Sequence, residues 1–345
     1  MRDAENLGGL PATPPIRVGR FALSGRAFLA PMAGVTDAAM RRIALRFGAT
    51  AAVGEMIAAA GLARGDRETR MRLARSKSQQ GPDIVQIAAC DPEGAARAAR
   101  GAVEAGAEWI DLNMGCPCKR VTGGLAGAAL MRDPGLARRI VAAAVEAAGA
   151  PVSVKMRLGW DEASHNAPEL ARVAEEEGAA LVTVHGRTRR QFYEGRADWA
   201  AIAAVRAAVT IPVVANGDCD SPKAAEEMLR LSGADAVMIG RAAQGRPWLV
   251  GDVAHYLETG NLRPEPSLAE RLEIAVEHLE ALGHAMGPLA GLRHARKHLA
   301  AYVDCAGLGA RDPALRRALL VETDLSEARR LLAALFSNPA LEAAA

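Results

Sequence analysis

The residue with the most evident chemistry is Cys116, which lies between Gly115 and Pro117 at the end of an apolar run. This rigid frame predicts a thiol held accessible rather than packed away. A thiol with a reference pKa near 8.5 is mostly protonated at neutral pH, so it can donate a proton to carbon. Cys116 and Cys118 could instead begin a metal site, but we find no second cysteine or histidine pair with ligand spacing. We therefore expect an acid and no metal.

Glycines and an arginine follow two later apolar runs. Asn216, Gly217 and Asp218 close one run, and Gly240 and Arg241 close the next. Glycines let backbone N–H groups approach an anion, and arginine adds a fixed charge with a forked donor geometry. The pattern predicts a phosphate site, although glycines that serve only tight turns would look the same.

Two polar side chains on other runs would suit a flavin as the phosphorylated ligand, although either could instead be an ordinary hydrogen-bonded polar group near a loop. Lys155 ends a run, and a buried cation there needs an anionic partner. The pyrimidine edge of a reduced flavin is such a partner, and the two-sided amide of Gln86 could hydrogen-bond the same edge. Residues 185–193 (HGRTRRQFY) mix cations with aromatic rings, a combination suited to gripping a nucleotide.

These residues follow short apolar runs that alternate with Ala-rich helical stretches. The eight runs are Phe28–Pro31, Ala51–Glu55, Ile84–Ala88, Trp109–Asn113, Val152–Met156, Leu181–His185, Val213–Asn216 and Ala236–Ile239. Alternating β and α segments argue for a parallel sheet, and eight strands over about 250 residues predict a (β/α)₈ TIM barrel. Ser221 and Pro222 predict a helix start, and Ser232 and Gly233 its end. A doubly wound open sheet is the alternative.

The pattern changes after the eighth run. Residues 259–266 form a loop, and Ser267 with Glu270 has the spacing of a capping box. Four amphipathic helices are expected over Ser267–His284, Gly291–Ala306, Pro313–Val321 and Asp324–Phe336. We therefore predict a catalytic barrel domain, residues 1–258, and a C-terminal helical bundle domain, residues 259–345.

Charge is concentrated in two basic clusters, although the net charge of the 345 residues is only +2. Residues 61–80 contain Arg64, Arg67, Arg70, Arg72, Arg75 and Lys77 against two acids. Residues 291–298 (GLRHARKH) add three fixed positive charges without an acid. Two basic clusters on a nearly neutral chain indicate a polyanionic partner, unless they are ordinary solvated helix faces.

The remaining composition indicates a cytoplasmic protein. No signal peptide, anchor or membrane-spanning run is evident, and an odd count of five cysteines predicts free thiols in a reducing compartment. Cys90, Cys219 and Cys305 are expected to be small buried residues. The histidines of the helical region are interpreted as separate surface or core residues: His255, His278, His284, His294 and His298.

Taken together, the run ends PMAGVTD, DLNMGCPCKRV, VKMRLGWD, VHGRTR, ANGD and IGR resemble the bacterial tRNA-dihydrouridine synthase family, most closely its B-type. The resemblance covers nearly the whole chain, and GLRHARKHLAAY resembles the family's tRNA-contacting helix. One departure is Cys118, where the family more often has Ala or Ser.

The resemblance implies flavin mononucleotide (FMN) bound at Pro31, Met32, Ala33, Gln86, Lys155, His185, Asn216, Gly217, Asp218, Gly240 and Arg241. It implies Cys116 as the proton donor. It also implies substrate contacts from Asn113, Arg157, Tyr193, Arg293, Arg296 and Lys297.

The implied reaction is reduction of a tRNA uridine to 5,6-dihydrouridine. NADPH or NADH reduces FMN, hydride passes to uracil C6, and Cys116 protonates C5. No protein partner is expected. Two alternatives stay open: a small-molecule reductase of the dihydroorotate dehydrogenase kind, and a flavin-containing protein that binds tRNA without reducing it.

Overall fold

In the part of the chain that the structure describes, short strands and longer helices alternate up to residue 259, and only helices follow. The computed structural model describes residues 14–73 and 81–337. The strands are β1 Ile16–Val18, β2 Phe21–Leu23, β3 Ala27–Leu29, β4 Ala51–Ala52, β5 Ile57–Ala58, β6 Ile84–Ala88, β7 Trp109–Met114, β8 Val152–Arg157, β9 Leu181–His185, β10 Val213–Asn216 and β11 Ala236–Ile239.

The helices are α1 Ala38–Arg46, α2 Ala59–Arg64, α3 Arg67–Arg72, α4 Pro92–Glu104, α5 Lys119–Thr122, α6 Pro134–Ala148, α7 Ala167–Glu176, α8 Ala203–Ala208, α9 Pro222–Ser232, α10 Leu249–Thr259, α11 Leu268–Met286, α12 Pro288–Cys305, α13 Leu308–Arg311, α14 Pro313–Val321 and α15 Leu325–Phe336. Three 3₁₀ turns occupy Gly127–Arg132, Ala200–Ile202 and Arg241–Ala243. The predicted cap residues are confirmed: Ser221 caps α9, Gly233 ends it in the left-handed conformation, and Ser267 with Glu270 forms a capping box on α11.

Parallel pairing closes the strands into a barrel. From β5 through β11 to β3 and β4 each strand pairs with the next, and β4 and β5 lie six residues apart on one segment. A bridge from Val53 to Ile84 joins the two ends of the sheet. The (β/α)₈ prediction is therefore confirmed, and the open doubly wound alternative is wrong.

The second barrel strand differs from its predicted form because it is interrupted around Glu55. The Glu55 side chain is buried, and a buried carboxylate needs partners. It accepts a hydrogen bond from the Gly34 backbone N–H and lies 3.7 Å from Arg72 Nε. The backbone leaves the strand conformation between β4 and β5 to make these contacts.

The amino-terminal end of the barrel is closed by a hairpin that the sequence interpretation missed. Strands β1 and β2 pair antiparallel, and Ile16, Val18 and Leu23 pack against the residues that fill the barrel interior. Among the latter, the rings of Phe28 and Trp109 meet edge to face at 6.5 Å. Strands of three residues carry too little periodicity to be recognised in a sequence.

The C-terminal helices share one apolar core with the outer face of the barrel. Leu279 of α11, Leu299 of α12 and Leu332 of α15 pack in one cluster with Ile43 of α1 and Trp248. The four predicted helices are confirmed, with the short α13 added between the second and third. No helix in the described ranges is long and apolar enough to cross a membrane.

Candidate active site

The carboxyl ends of the barrel strands surround a pocket of about 640 Å³. Its volume is typical of a site for a small molecule or cofactor. Its walls include these residues predicted to bind the cofactor: Pro31, Met32, Ala33, Lys155, His185, Asn216, Gly217, Asp218, Gly240 and Arg241. Tyr193, predicted to contact the substrate, also lines it. The structure therefore brings together residues from the carboxyl ends of five strands, β3, β8, β9, β10 and β11, that are far apart in the sequence.

A second, smaller pocket of about 110 Å³ adjoins the first and contains the thiol of Cys116. Its walls also include Gln86, Asn113 and Arg157. The two pockets share five wall residues: Pro31, Ala33, Lys155, His185 and Tyr193. A group in the smaller pocket would therefore lie next to a ligand in the larger one, with Cys116 beside it.

Lys155 is a half-buried cation between the two pockets. Its Nζ donates to Asn216 Oδ1 at 2.9 Å, and Asn216 Nδ2 in turn donates to the Met238 carbonyl oxygen at 2.8 Å. Burial, followed by the charge of Arg157, lowers the pKa of Lys155 to about 8. The ammonium is still largely protonated at neutral pH, and an anion in the pocket would stabilise it.

Asp111 is a buried carboxyl group below the smaller pocket that the sequence interpretation did not single out. Its Oδ1 accepts from Ser153 Oγ at 2.5 Å, and its Oδ2 accepts from Gln86 Nε2 at 2.7 Å. Trp109 Nε1 donates to Ser153 Oγ at 2.9 Å. Burial raises the pKa of Asp111 to about 6, against the effect of these two hydrogen bonds. Asp111 thus holds Gln86 in one orientation.

Asn113 extends this network to the backbone of Cys116. Asn113 Nδ2 donates to Gln86 Oε1 at 2.8 Å, while its Oδ1 accepts from the backbone N–H of Cys116 at 2.9 Å and of Gly115 at 3.2 Å. Each end of the Gln86 amide therefore has a protein partner and capacity for one more hydrogen bond. The network positions the thiol through its backbone.

The Cys116 thiol is partly buried, and burial raises its pKa from the ordinary value. The thiol is therefore protonated at neutral pH, as a proton donor must be. Cys118, by contrast, is exposed. The segment that follows returns close to Cys116, because the Ala128 N–H donates to the Cys116 carbonyl oxygen at 3.1 Å.

Gly127 makes this close return possible. Its φ is +61°, and a Cβ there would lie 2.9 Å from Val121 Cγ1, 3.0 Å from the Cys116 carbonyl oxygen and 3.2 Å from Cys116 Cβ. Gly149 has a similar φ of +58° but has nothing within 4 Å of such a Cβ. The two glycines form a matched pair that separates backbone strain from steric contact.

We expect Gly127→Ala to lower the free energy of unfolding by about 2–4 kcal/mol, from the left-handed backbone and the added contacts. Gly149→Ala should lower it by about 1–2 kcal/mol, from the backbone alone. Urea unfolding of both variants checks this. Equal losses would mean that the segment carrying Gly127 moves away from Cys116 without cost.

Most hydrogen bonds of the Arg157 guanidinium go to the loops around the thiol and not to the open pocket. Its side chain is buried, its Nε donates to the Gly115 carbonyl oxygen, and its Nη1 donates to the carbonyl oxygens of Thr188 and Phe192, all at 2.8 Å. Burial lowers its pKa to about 10, so it stays charged at neutral pH. Its guanidinium carbon lies 5.5 Å from the centroid of the Tyr193 ring. The predicted substrate contact would have to use its remaining N–H groups.

The Asp218 carboxylate is paired with Arg187. The sequence interpretation did not single out Arg187 as a site residue. Arg187 Nη1 and Nη2 donate to the two carboxylate oxygens at 2.9 and 2.6 Å, and the Ala197 N–H donates at 2.8 Å. Arg241 Nη2 is 3.4 Å from the same carboxylate. The carboxylate is engaged within the protein, so a contact from Asp218 to a phosphate would come from its backbone.

His185 and Tyr193 lie where the two pockets meet. Burial, together with the charge of nearby Lys155, Arg157 and Arg187, holds the pKa of His185 well below its ordinary value, so the ring is neutral. Tyr193 is 52% exposed, and the Arg241 guanidinium lies 4.9 Å from its ring centroid. An exposed aromatic ring flanked by cations suits stacking against a base.

The predicted basic residues of α12 differ in their environments. Arg293 and Lys297 are exposed, and Lys297 Nζ is near Gly34 in the loop after β3, at the barrel mouth. Arg296 is partly buried, and its Nη2 donates to the carbonyl oxygens of Val321 at 3.1 Å and Glu322 at 2.8 Å. Arg293 and Lys297 are thus available to a ligand, whereas Arg296 ties α12 to the end of α14.

The first basic cluster is only partly described. Arg64 and Arg70 are exposed, whereas Arg72 donates to the Met56 carbonyl oxygen at 2.8 Å. Arg75 and Lys77 lie outside the described residues. Arg64 and Arg72 line a third cavity of about 560 Å³, which also reaches Cys116.

Two expectations about other cysteines are wrong. Cys90 and Cys305 are exposed, and only Cys219 is buried. Cys90 lies two residues after the buried strand β6 and Cys305 is the last residue of α12, and both side chains face solvent. His278 and His298 are core residues, as expected, but the expectation that no histidine pair has ligand spacing is wrong, because His294 and His298 lie four residues apart on α12 and converge with His278 on Asp37.

The larger pocket has features that suit a phosphorylated cofactor. Gly217 has a φ of +114°, and a Cβ there would lie 2.7 Å from Ala197 Cβ, so local packing requires this glycine. At Gly240 a Cβ would meet Met32 Sδ at an ordinary 3.7 Å, so the surrounding protein tolerates a side chain. A side chain there would project beside Met32, a wall residue, whereas glycine leaves the backbone open to the pocket.

Comparison with known proteins shows the family to which this chain is similar. The model of the family described as "Dihydrouridine synthase (Dus)" matches residues 28–338. A probable tRNA-dihydrouridine synthase of Rickettsia bellii is 48% identical over 287 residues, which cover 83% of this chain and 88% of that protein. The tRNA-dihydrouridine synthase B of Xanthomonas axonopodis pv. citri is 49% identical over 287 residues, 83% of this chain and 86% of that protein.

Solved structures that resemble this chain more distantly share its fold. Histamine dehydrogenase from Rhizobium sp. 4-9 aligns with a TM-score of 0.54 at 15% identity, over 79% of this chain and 50% of that chain. Morphinone reductase aligns with a TM-score of 0.51 at 16% identity, over 74% of this chain and 93% of that chain. At these identities the likeness concerns the fold alone.

Proposed function

The chain belongs to the dihydrouridine synthase family, and from this premise we propose that it reduces uridines of tRNA to 5,6-dihydrouridine with a bound flavin. The observation that carries the proposal is the pair of adjoining pockets. The larger pocket is lined by glycines, Lys155 and Arg241. The smaller pocket is lined by Cys116, whose thiol is protonated, and shares part of its wall with the larger one. One volume suits a cofactor and the other a planar pyrimidine.

FMN is the flavin that this pocket suits. The backbone at Gly217 and Gly240 and the 58% exposed side chain of Arg241 offer donors for one phosphate. Lys155 offers a half-buried cation for the ring edge that becomes negative on reduction. When bound, the reduced flavin supplies hydride to C6 of the uracil.

The protein's own residues supply the proton and the geometry. Cys116 would donate its Sγ proton to C5 of the uracil, and the resulting thiolate would recover a proton from solvent. Asn113 and Gln86 hold the backbone of Cys116 in place. Lys155 and Arg157, both cationic at neutral pH, would stabilise the thiolate left after transfer. A target uridine has to be flipped out of the tRNA to reach this depth.

A single-turnover experiment tests the function. Flavin-loaded protein is reduced under anaerobic conditions with NADPH or, separately, NADH, and then mixed with tRNA from a strain that lacks this gene. We expect tRNA to reoxidise the flavin and to gain dihydrouridine, while free uridine does neither. Rapid reoxidation by free uridine would favour a small-molecule reductase, and no reoxidation by tRNA would favour a non-catalytic tRNA-binding protein.

We further propose that residues 1–258 form the FMN-binding catalytic domain and that residues 259–345 form the tRNA-recognition domain. Arg293 and Lys297 are four residues apart on α12, so they lie on one helix face. Lys297 is near Gly34 at the barrel mouth. This face would contact the tRNA backbone while a uridine enters the barrel, and the exposed arginines of the first basic cluster would add further contacts.

Salt dependence tests this interface. The affinity for tRNA should fall steeply as salt rises, and Arg293→Gln and Lys297→Gln should each reduce the slope of log K against log salt by about one. Filter binding from low to moderate salt measures the slopes. Arg230→Gln, which removes an exposed arginine of α9 on the outside of the barrel, is the control and should leave the slope unchanged. A wild-type affinity independent of salt would exclude the interface.

A further inference from the structure

Four titratable side chains from separate parts of the chain meet between the barrel and the helical region. Asp37 caps the start of α1, His278 lies on α11, and His294 and His298 lie one turn apart on α12. Asp37, His278 and His298 are buried, while the side chain of His294 is 21% exposed. The cluster is distinct from the two pockets of the active site.

The two oxygens of Asp37 have different tasks. Oδ1 accepts from the backbone N–H groups of Ala39 and Met40, both at 3.0 Å. Oδ2 faces the Nε2 atoms of His298 at 3.1 Å, His278 at 3.4 Å and His294 at 3.6 Å. His278 Nε2 is also 3.4 Å from Oδ1, so Oδ1 serves the helix and one imidazole, whereas Oδ2 faces all three.

Hydrogen bonding does not account for two of these nitrogens. The Nε2 atoms of His294 and His298 are buried, and neither has a hydrogen-bond partner among the described residues. Asp37 Oδ2 lies within ion-pair distance of both, 3.1 Å from His298 and 3.6 Å from His294, but without the geometry of a hydrogen bond. Buried polar atoms without partners are rare, and an unplaced ion is one recognised explanation.

The distances suit a metal ion instead. Zinc–nitrogen bonds of about 2.0–2.1 Å at tetrahedral angles place two ligand atoms about 3.3–3.4 Å apart. The distances from Asp37 Oδ2 to His298 and His294, 3.1 and 3.6 Å, bracket this value. The candidate ligand atoms of Asp37, His294 and His298 all lie within 4.8 Å of one another. Two histidines spaced i, i+4 on one helix face are a common way to present such ligands.

We propose that Asp37, His294 and His298 bind a divalent transition-metal ion of the zinc class. His278 is a positioning residue: its Nδ1 is 3.1 Å from the Tyr302 hydroxyl, and its ring centroid is 4.2 Å from that of His298. Such contacts orient ligands in metal sites. The partly exposed His294 leaves a route for the ion to enter.

Two cationic side chains lie near the cluster and would weaken the binding of a metal ion there. The Arg41 guanidinium donates to the Thr36 carbonyl oxygen at 2.8 Å, and Lys297 Nζ is near Gly34. Because these side chains repel a dication, we expect the ion to be bound weakly and to exchange with solvent, and not to be held permanently. The titration therefore has to extend to weak binding.

The ion would join α12 to the loop after β3. That loop contributes Pro31, Met32 and Ala33 to the larger pocket, and α12 carries the basic face proposed to contact tRNA. Binding would therefore stabilise the contact between the helical region and the barrel. This role does not depend on the reaction that the barrel performs.

The test uses the full-length, flavin-loaded protein after treatment with a chelator and dialysis. Zn²⁺ is titrated by calorimetry into the wild type, His294→Gln and His298→Gln. His284→Gln, which removes an exposed histidine of α11, is the matched control. We expect one ion per wild-type and control chain, and binding at least about tenfold weaker in the other two variants. Thermal unfolding should show a Zn²⁺-dependent rise in midpoint only where the ion binds.

Because His294 is partly exposed, His294→Gln should fold even if His298→Gln does not. Circular dichroism of each variant checks that it is folded. Binding of equal stoichiometry and affinity in wild type and His294→Gln would overturn the proposal, because it would place the ion elsewhere, for example on the exposed thiols. No binding to the wild type would also overturn it.

Discussion

Replacing Cys116 with alanine should leave the flavin bound and lower turnover by about 10²–10⁴-fold, the usual contribution of a positioned general acid. The thiol lines the smaller pocket, and burial keeps it protonated at neutral pH. The backbone N–H groups that hold it do not depend on its side chain. The visible absorbance of purified Cys116→Ala measures flavin content, and dihydrouridine formed on tRNA measures turnover.

The neighbouring cysteine is the control for this result. Cys118 is exposed and two residues away, so Cys118→Ala should retain most of the activity. The wild-type rate should fall as the pH rises above about 8, first as Lys155, whose pKa is about 8, loses its charge and then as the thiol of raised pKa loses its proton. Full turnover in Cys116→Ala would remove the thiol from the mechanism.

Replacing Lys155 with methionine should lower turnover by about 10²–10³-fold, comparable to losing one preorganised donor to developing charge. Methionine keeps the apolar stem but removes the cation that lies between the two pockets. We also expect a lower reduction potential for the bound flavin, because its reduced, anionic ring would lose the adjacent charge. Turnover and potentiometric titration of flavin-loaded Lys155→Met measure these effects.

A structural effect of the same substitution can be separated from this one. Lys155 also donates to Asn216, so its loss alone could disturb the pocket and weaken flavin binding. Such disturbance would raise the flavin dissociation constant while leaving the potential of the loaded protein in place. The exposed Lys223 of α9 is the control, and Lys223→Met should behave as wild type. An unchanged potential and turnover in Lys155→Met would refute the electrostatic role.

The barrel could be predicted because its strands are buried on both sides and read as short apolar runs between helical segments. The interrupted second strand could not, since the break follows from the long-range contact of Glu55 with Gly34. The β1–β2 hairpin was missed because strands of three residues show no clear period. Capping residues such as Ser221 and Ser267 act locally, and their positions were correctly predicted.

The active-site residues that could be predicted are those at strand ends, where a polar side chain or glycine interrupts an apolar run. Asp111 lies inside its strand, two residues before Asn113, and only the register of β6, β7 and β8 places it beside Gln86 and Ser153. The spacing of Asp111 and Asn113 on one strand face was the available signal. Gly127 carried no signal, because its role depends on how a later turn packs against Cys116.

The convergence of His294 and His298 on Asp37 shows the same limit. The i, i+4 spacing was present on α12, but Asp37 is more than 250 residues away in the chain. Only the packing of the helical region on the barrel brings the three together. The local spacing therefore places His294 and His298 on one face of a helix, but it does not predict which distant residue packs against that face.

The closed floor of the barrel has a kinetic consequence. With Phe28, Trp109 and the β1–β2 hairpin filling the amino-terminal end, a flavin bound in the larger pocket would be approached from the opposite side. A nicotinamide and a uracil would then need the same face of the isoalloxazine, and they would have to take turns. We expect parallel double-reciprocal plots, with each substrate inhibiting competitively at high concentration against the other.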